Sequence, residues 1–394
     1  DIVVNYSPDA VKPKTLGEKN KFLGGEQYFI SNIKKRNKNE TIKKQQKVLF
    51  FVGGKGNIKK HENLVRAAIA KASEHNLKIY WVGLNVDSQK LIQEIENNFS
   101  RERILPWQEN NSWKNYDFVI CPTSTVLFET ILQGSIPITY TLSSSQSDNR
   151  NTWLSLGHVC HINRKELQDK NEVEKVLDVA FKYARPINKY LKNFSKHLDG
   201  NGGRRVAKEI IQLIHPKKIR AFEKKIETDN GGTKIRPCYI KDVENFRLAR
   251  NDKKVRMVST NPERIISWAE HLEWWLRNDV DKFIMEKNGN PLIYFWHKAV
   301  NKGKRRFLVG GWFPACNGLI FNHVMKMLLW QLSEVTKSYP DRTWLATINK
   351  KNKPVLALNL RMGFEHADPI TVSHSRNIFP GTDDNFHVLT RDLN

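Results

Sequence analysis

The chain alternates short, continuously apolar segments with amphipathic ones, and this alternation limits its fold more than any other feature. KVLFFVGG (47–54) is almost wholly apolar, which is typical of a strand covered on both faces. An amphipathic helix is predicted at 61–76 and a strand at 77–83, and the alternation continues to a helix at 203–214. Strands that alternate with helices predict a parallel, doubly wound α/β sheet, which binds ligands at the carboxyl ends of its strands.

The pattern changes after residue 233. An Asn-Gly pair at 288–289 lies between two apolar segments, and this arrangement predicts a β-hairpin. Strands predicted at 305–313 and 342–349 flank a long helix at 317–335, and such a mixture indicates an α+β domain. We therefore expect an irregular, polar region at 1–45, an α/β domain at 46–214, a linker at 215–233 and an α+β domain at 234–394.

Charge and cysteine content narrow the function classes. The 394 residues carry a formal net charge of +24, which suits nucleic acid, an anionic membrane surface or phosphorylated small molecules. The lysines are spread through predicted linkers and no nucleic-acid-binding motif is recognised, so we expect no nucleic-acid partner. Four cysteines without a CxxC pair predict a cytoplasmic location and no metal site. The apolar segments are too short to predict a membrane-spanning helix.

A first candidate phosphate site is FVGGKGN (51–57), between a predicted strand and a helix. Gly53 and Gly54 leave backbone N–H groups open to a phosphate. Glycine is about as common in such turns for steric reasons alone, so both interpretations stand.

A second candidate is VICPTSTVLFETILQGSIPI (119–138). Ser124 and Thr125 lie at the start of a predicted helix, where hydroxyls cap free N–H groups or help to bind a diphosphate. Glu129 lies one turn later on the same helix face, among apolar residues. A carboxylate there needs a partner, and a ribose diol is one such partner.

These segments resemble the C-terminal half of B-type glycosyltransferase folds, and most closely the UDP-sugar hydrolases of pseudaminic acid biosynthesis and their spore-coat polysaccharide relatives. The matching pieces are FVGG (51–54), STVLFE (124–129), GSIP (134–137) and SQ (145–146). The resemblance implies a Rossmann-like domain that binds a UDP-linked amino-dideoxysugar. The implied ligand contacts are the two loop glycines with Ser124 and Thr125 at the diphosphate, Glu129 at the ribose, and Gln146 near the sugar or phosphate.

The resemblance also implies that residues 1–45 are the crossover from a preceding domain. That domain would carry the family's Gly-x-Gly-His catalytic loop, which residues 1–394 do not contain. Hydrolysis by this chain alone is therefore left open.

Residues 234–394 resemble the GNAT acyltransferase superfamily, and most closely its sugar N-acetyltransferases. The matching pieces are IRP (235–237), NFRLARND with VRMVS (245–259), ISWAEHLEWW (266–275) and NKPVLALNLRMGFE (352–365). The resemblance implies that acetyl-CoA lies between two splayed strands, with its pyrophosphate at FPACNGLIF (313–321) and without a metal. The implied donor-binding residues are Phe313, Asn317, Gly318 and Asn352.

Three residues are candidates for the base that takes a proton from the acceptor amine: His271, Glu270 and His297. His271 lies between tryptophans on a predicted helix, where a histidine is often a packing residue, so that interpretation stays open beside the catalytic one.

Together, the two resemblances imply a cytoplasmic enzyme of nonulosonic acid (pseudaminic or legionaminic type) or surface polysaccharide biosynthesis. It would acetylate a UDP-linked amino-dideoxysugar with acetyl-CoA, next to a UDP-sugar hydrolase-like domain. One alternative is a glycosyltransferase whose GNAT module is degenerate and serves binding or assembly. Another is a non-catalytic sugar- or partner-binding protein. The sequence does not determine the oligomeric state.

Overall fold

The computed structural model describes residues 2–7, 10–14, 16, 20–31, 47–52, 61–95, 103–105, 115–142, 149–214, 233–277, 279–315 and 321–392. The contacts divide the chain into two compact units. The first contains Asp1–Glu223 and Trp268–Leu276, and the second contains Lys224–Ser267 and Arg277–Asn394. Residues 268–276 thus group with the first unit although the expected α+β domain includes them, and the domain boundaries stay predictions.

The N-terminal region is more regular than expected. Strand β1 (Ile2–Asn5) pairs in parallel with β2 (Lys21–Gly24), and a short 3-10 helix follows at Glu26–Tyr28. Residues 1–45 were expected to be irregular, because polar residues separate their short apolar segments and hide the strand period.

A six-stranded sheet forms the centre of the first unit, and all of its pairings are parallel. The strand order is β5-β4-β3-β6-β7-β8. The strands are β3 (Lys47–Phe51), β4 (Lys78–Val82), β5 (Ile104–Leu105), β6 (Phe118–Pro122), β7 (Ile136–Tyr140) and β8 (His161–Ile162). The prediction of a parallel, doubly wound α/β sheet is confirmed.

Helices alternate with these strands as the apolar period predicts. The helices of this region are α1 (Glu62–Glu74), α2 (Val86–Ile95), α3 (Thr125–Leu132), α4 (Arg150–Ser155), α5 (Lys170–Lys182), α6 (Ala184–His197) and α7 (Gly202–Ile214). The helix that the sequence predicts at 173–184 corresponds to α5, whereas α6, which follows it after Tyr183, was not predicted. Helix α4 and strand β8 are too short to show a clear period in the sequence and were not predicted.

The second unit is built on a seven-stranded mixed sheet with the order β14-β15-β13-β12-β11-β10-β9. The strands are β9 (Thr233–Pro237), β10 (Asp281–Lys287), β11 (Asn290–Lys302), β12 (Arg305–Pro314), β13 (Thr343–Asn349), β14 (Glu365–His366) and β15 (Phe386–Arg391). The expected hairpin is confirmed: Asn288 and Gly289 have φ values of 54° and 78°, which suit the two central positions of a type I′ turn.

The remaining helices are α8 (Val243–Arg250), α9 (Lys253–Arg256), α10 (Trp268–Leu276), α11 (Phe321–Ser338), α12 (Lys353–Arg361) and α13 (Pro369–Ile378). Apolar side chains of α11 and α12 form one core with the sheet, and those of α13 pack with Phe307, Val309 and Leu345. The predicted α+β class is confirmed, whereas α13 and β14 were not predicted. In the part of the chain that the structure describes, no helix has the length and apolarity needed to cross a bilayer.

Candidate functional site

The first unit has a point where its strand order reverses. The chain passes from β3 to β4 and β5 on one side, and then returns to place β6 on the other side of β3. In doubly wound sheets, a crevice opens outside the carboxyl ends of the two strands at such a point. Gly53 and Gly54 come shortly after β3, and Ser124 and Thr125 come shortly after β6. The two glycines and Gln146 lie outside the described residues, so their predicted roles stay predictions.

The three hydroxyl residues after β6 differ in their contacts. The backbone N–H and the hydroxyl of Thr123 both donate to the carbonyl of Tyr140, at 2.9 and 3.2 Å, so Thr123 ties β6 to β7. Ser124 is the N-cap residue of α3, yet its side chain makes no capping hydrogen bond. Thr125 is exposed. The Ser124 side chain therefore caps none of the N–H groups of the first helical turn, although the Leu127 N–H donates to the Ser124 carbonyl at 3.1 Å.

Helix α3 is almost entirely buried. Among its eight residues, only Thr125 and Glu129 are not buried, and their spacing of four places them on one face of the helix. The far end of the helix closes at Gly134, whose φ is 79°. Its N–H donates to the Ile131 carbonyl and that of Ser135 to the Thr130 carbonyl, at 3.0 and 3.1 Å, which is a Schellman motif. The glycine of GSIP (134–137) is thus explained by the end of this helix, without reference to a ligand.

A buried histidine pair in the same sheet was not identified from the sequence. The hydroxyl of Thr139 on β7 lies 2.7 Å from His158 Nε2 and 2.9 Å from His161 Nδ1. Burial lowers the pKa of His158 to about 3 and holds the pKa of His161 well below its ordinary value. Both rings are therefore neutral near pH 7. The segment HVCHI shows the two histidines, but only the fold shows that they are enclosed.

The second unit contains two parallel strands that separate. Strands β12 and β13 pair only at three positions, from Phe307 with Thr343 to Val309 with Leu345. Beyond them β12 continues through residues 310–314, paired with β11, and β13 continues through residues 346–349, paired with β15. The facing edges of these two segments have no ladder partner in each other. We call this opening the β12–β13 gap.

Two glycines hold β12 close to β11 where the gap begins. A Cβ atom on Gly310 would lie 2.7 Å from the backbone oxygen of Trp296, and one on Gly311 would lie 3.1 Å from the Trp296 indole nitrogen. At these two positions β12 lies close to β11, just beyond its last pair with β13. The start of the gap therefore has no side chains from these two glycines.

His297 lies beside this start. Its side chain is 4% exposed, and its Nε2 is 3.3 Å from Asp281 Oδ2. The ring stacks on Phe283, with centroids 5.4 Å apart. The hydrogen bond from His297 lowers the pKa of Asp281, whose carboxylate is half exposed. Among the described residues, His297 Nδ1 has no hydrogen-bond partner.

The other predicted donor-binding residues lie at the open end of the gap or outside the described residues. Strands β12 and β13 are parallel, so Phe313 and Asn352 follow them to the same end of the sheet. The Phe313 side chain is buried against Phe246, with ring centroids 5.0 Å apart, which leaves its backbone for a ligand contact. Asn352 is the N-cap residue of α12. Asn317 and Gly318 lie outside the described residues.

The candidate bases His271 and Glu270 lie on α10, which belongs to the first unit. His271 is fully buried and stacks on Trp274 at 5.4 Å, as the packing interpretation expects. Trp268 of the same helix lies under the Arg150 guanidinium at 4.1 Å. Of the three candidates, only His297 lies in the sheet that contains the gap, and the catalytic roles stay predictions.

No described group of three or more His, Cys, Asp or Glu side chains is arranged to hold a metal ion. Asp281 and Gln331, which lie near the gap, were missed in the sequence. Their relation to His297 and Gly310 depends on strand register and helix packing, for which the sequence carries no local signal.

Comparisons with known proteins give the following findings. No protein-family model matches the chain, and no curated protein matches it. Similar solved structures include an N-acetyltransferase from Staphylococcus aureus Mu50 and a ribosomal-protein-alanine N-acetyltransferase from Brucella melitensis. Each has 17% identity, covers 41% of this chain and 99% of the other, and has a TM-score of 0.33. An acetyltransferase of the GNAT family from Streptococcus pneumoniae has 13% identity, covers 41% of this chain and 100% of the other, and has a TM-score of 0.33. The resemblance of residues 46–214 to UDP-sugar hydrolases stays a prediction.

Proposed function

We propose that the second unit is an acyl-CoA-dependent N-acyltransferase of the GNAT type. The β12–β13 gap is the observation that carries this proposal. Along residues 310–314, the edge of β12 that faces away from β11 is not paired with β13. A ligand that carries amides can pair with such an edge much as an added strand does. The pantetheine arm of coenzyme A carries two amides and is a ligand of this kind.

The position of α11 supports the same donor. This helix of 18 residues begins at Phe321, shortly after β12 ends at Pro314. Its N-terminus thus follows the strand that borders the gap, and helix N-termini favour phosphate groups. Asn317 and Gly318 fall in the connection and are our candidates for holding the pyrophosphate.

The reaction proposed is acyl transfer to an amine. The amine nitrogen attacks the thioester carbonyl, a C–N bond forms and the C–S bond breaks. The amine loses a proton to a base, and coenzyme A leaves as a thiolate that is then protonated. By the resemblance of the sequence, we propose the amino group of a UDP-linked dideoxysugar as acceptor, in nonulosonic acid or surface polysaccharide biosynthesis.

Calorimetry with three ligands tests the donor site. Acetyl-CoA and coenzyme A should bind, whereas 3′,5′-ADP, which lacks the pantetheine arm, should bind at least about tenfold more weakly. Equal affinity for all three would show that the gap does not hold the arm. Release of free thiol from acetyl-CoA, measured with and without candidate amines, tests transfer itself.

We propose a second function for the first unit, the binding of a nucleoside diphosphate sugar. The supporting observation is the α3 N-terminus, which is not capped by Ser124 and lies at the strand-order reversal, with Glu129 one turn further along. A diphosphate at this N-terminus would be favoured by the helix dipole. Glu129 would then accept hydrogen bonds from the ribose hydroxyls.

Binding of UDP to matched variants tests this site. Glu129→Gln should weaken UDP binding about tenfold, because a charged acceptor is replaced by a neutral one. Glu94→Gln, on the exposed face of α2 in the same unit, should leave it unchanged. Incubation with a UDP-sugar separates the two enzyme classes: release of free sugar without an acceptor indicates hydrolysis, and strict dependence on an acceptor indicates a glycosyltransferase.

A further inference from the structure

We propose that His297 is the base that takes the proton from the acceptor amine, and that Asp281 is its positioning residue and the exit of that proton to solvent. The inference rests on the proposed acyl transfer. It selects His297 from the three candidate bases and adds Asp281 and a direction of proton movement, which the sequence did not indicate.

Strand register carries the first step. Asp281 on β10 is the partner of His297 on β11, and His297 is the partner of Gly310 on β12. Directly opposite residues of antiparallel strands lie on the same face of a sheet. The three residues therefore form a line across one face. It runs from a half-exposed carboxylate, through a buried imidazole, to the first residue of β12 beyond its pairing with β13.

Gly310 places no side chain at the inner end of this line, and the Trp344 ring and the Gln331 amide pack against its backbone there. Because Gly310 has no side chain, the ring of His297 approaches that of Trp344 on β13, with centroids 6.3 Å apart. A Cβ atom at Gly310 would lie 3.3 Å from the Trp344 ring and 3.4 Å from the Gln331 amide nitrogen. The imidazole is thus separated from the start of the gap by a residue that places no side chain between them.

The chemistry of the pair sets the tautomer. A carboxylate only accepts hydrogen bonds, so Nε2 of His297 is the donor, and in the ring form that acts as a base Nδ1 is the acceptor. Nδ1 has no partner among the described residues, although a buried acceptor costs free energy when it is left unsatisfied. An amine N–H, or a water bound to the amine, would satisfy it. This is the atom that a base in the gap would use.

The charges around the ring are few. Stacking on Phe283 fixes the ring plane. Among the described residues packed at this position, β10 contributes the carboxylate of Asp281, and β12, β13 and α11 contribute the uncharged Gly310, Trp344 and Gln331. Asp281 is thus the charge that acts directly on His297.

The proton balance is complete without a further reactant. As the C–N bond forms and the C–S bond breaks, the amine proton moves to Nδ1 and His297 becomes an imidazolium held by Asp281. The imidazolium then gives its Nε2 proton to the carboxylate, and the carboxylic acid releases it to solvent. The ring is now neutral with its hydrogen on Nδ1. Nδ1 gives this proton to the coenzyme A thiolate, and Nε2 takes one back from solvent through Asp281, which restores the starting tautomer.

Kinetics of the full chain with acetyl-CoA and an accepted amine test the pair. His297→Gln should lower kcat/KM about 100-fold or more, the usual contribution of a general base, with the Kd for acetyl-CoA unchanged. Asp281→Asn should lower kcat/KM about tenfold. Asp281→Asn should also move the rise of kcat/KM with pH to lower pH, because loss of the negative charge disfavours the imidazolium. The matched control is Asp341→Asn, which removes an exposed carboxylate paired with Arg306 and should leave rate and pH profile unchanged.

The outcomes separate the two proposals. If wild-type protein transfers acyl groups but His297→Gln keeps the wild-type kcat/KM, the pair is wrong and the acyltransferase stands. An unchanged pH profile in Asp281→Asn, whose half-exposed side chain is not needed for the core, also overturns the role of Asp281. If the wild-type protein neither binds acetyl-CoA nor releases its thiol with any amine, acyl transfer itself is wrong.

Discussion

The two sheets of this protein offer ligands different kinds of opening. In the parallel sheet, β3 and β6 pair at three of the five residues of β3, and the candidate site lies beyond the strand ends, at loops and a helix N-terminus. In the mixed sheet, the opening lies inside the sheet: β12 and β13 also pair at three positions, but each then continues for several residues beside a different strand. The first site depends on the residues that follow the strands, whereas the second depends on backbone edges and on which residues share a register.

The difference also appears in how the two sheets hold buried polar groups. The parallel sheet encloses an uncharged network of Thr139, His158 and His161. The mixed sheet holds a charged group near its edge strand, where Arg236 on β9 contacts Asp242 and Glu286 at 2.8 and 2.9 Å. A buried network of neutral histidines is destabilised by acid, whereas a buried charged cluster is destabilised when one partner is removed. We therefore expect different changes to lower the free energy of unfolding of the two units.

The largest expected effect concerns the charged cluster. Arg236→Met leaves the carboxylates of Asp242 and Glu286, both nearly buried, without their shared cation. We expect a loss of about 3–5 kcal/mol in the free energy of unfolding of the second unit, measured by amide hydrogen exchange in β9 and β10. Lys234→Met is the control, because Lys234 also contacts Glu286 but is 68% exposed and should cost less than about 1 kcal/mol. If Arg236→Met and Lys234→Met lowered the free energy of unfolding by similar amounts, the proposed importance of the buried charged cluster would be contradicted.

A backbone contact in the first unit should give the next largest effect. A Cβ atom on Gly202 would lie 2.0 Å from the backbone oxygen of Phe29, whereas one on Gly203 would lie 3.7 Å from Ile30 Cγ2. Gly202→Ala should therefore destabilise the first unit by about 3 kcal/mol. Gly203→Ala should be neutral or stabilise α7 by up to about 1 kcal/mol. Chemical denaturation of the two variants measures the difference, and equal midpoints would contradict the close packing at Gly202.

Acid should weaken the first unit through its histidine pair. The pKa of His158 falls from 6.5 to about 3 on burial, so between these values the unfolded chain binds more protons than the folded one. Stability is therefore fully present above pH 6.5 and is lost as the pH falls towards 3. The slope should approach about 1.4 kcal/mol per pH unit for each buried histidine. Denaturation at pH 7 and pH 5 measures it, and equal stability at these two values would contradict the neutral network.

Exposed helical ion pairs should give the smallest effects, and similar ones in both units. Arg66 contacts Glu62 on α1, and Lys337 contacts Glu334 on α11, each at 2.6 Å with exposed side chains. Arg66→Ala and Lys337→Ala should each change the free energy of unfolding by about 0.5 kcal/mol or less, by denaturation at low salt. A much larger loss in only one variant would show that surface charge, too, distinguishes the units.

Much of the fold could be read from periodicity, and less of the site. Strands β3 and β4 were predicted because each is a short apolar segment followed by a helical period. In the candidate nucleotide site, the sequence indicated Ser124, Thr125 and Glu129, since they lie within five residues of one another on one element. It did not separate Thr123, which is used to join two strands, from Ser124, whose hydroxyl leaves the helix uncapped.

The site of the second unit was harder to predict because its parts are distant in the chain. Asp281 and Gly310 meet His297 only through cross-strand register, and a shift of one residue would turn each side chain to the other face. His271 and Glu270 were also candidate bases in the sequence, with packing an open interpretation for His271, yet they lie on a helix that groups with the first unit.

The sequence by itself determined most of the longer strands and helices, the parallel class of the first sheet, the mixed class of the second and the Asn-Gly hairpin, because these depend on side-chain period and local backbone preference. Only the tertiary structure decided where β12 and β13 separate, which of two adjacent glycines must remain glycine, and which histidine borders the gap. These features depend on distances between segments far apart in the chain, and no local pattern records such distances.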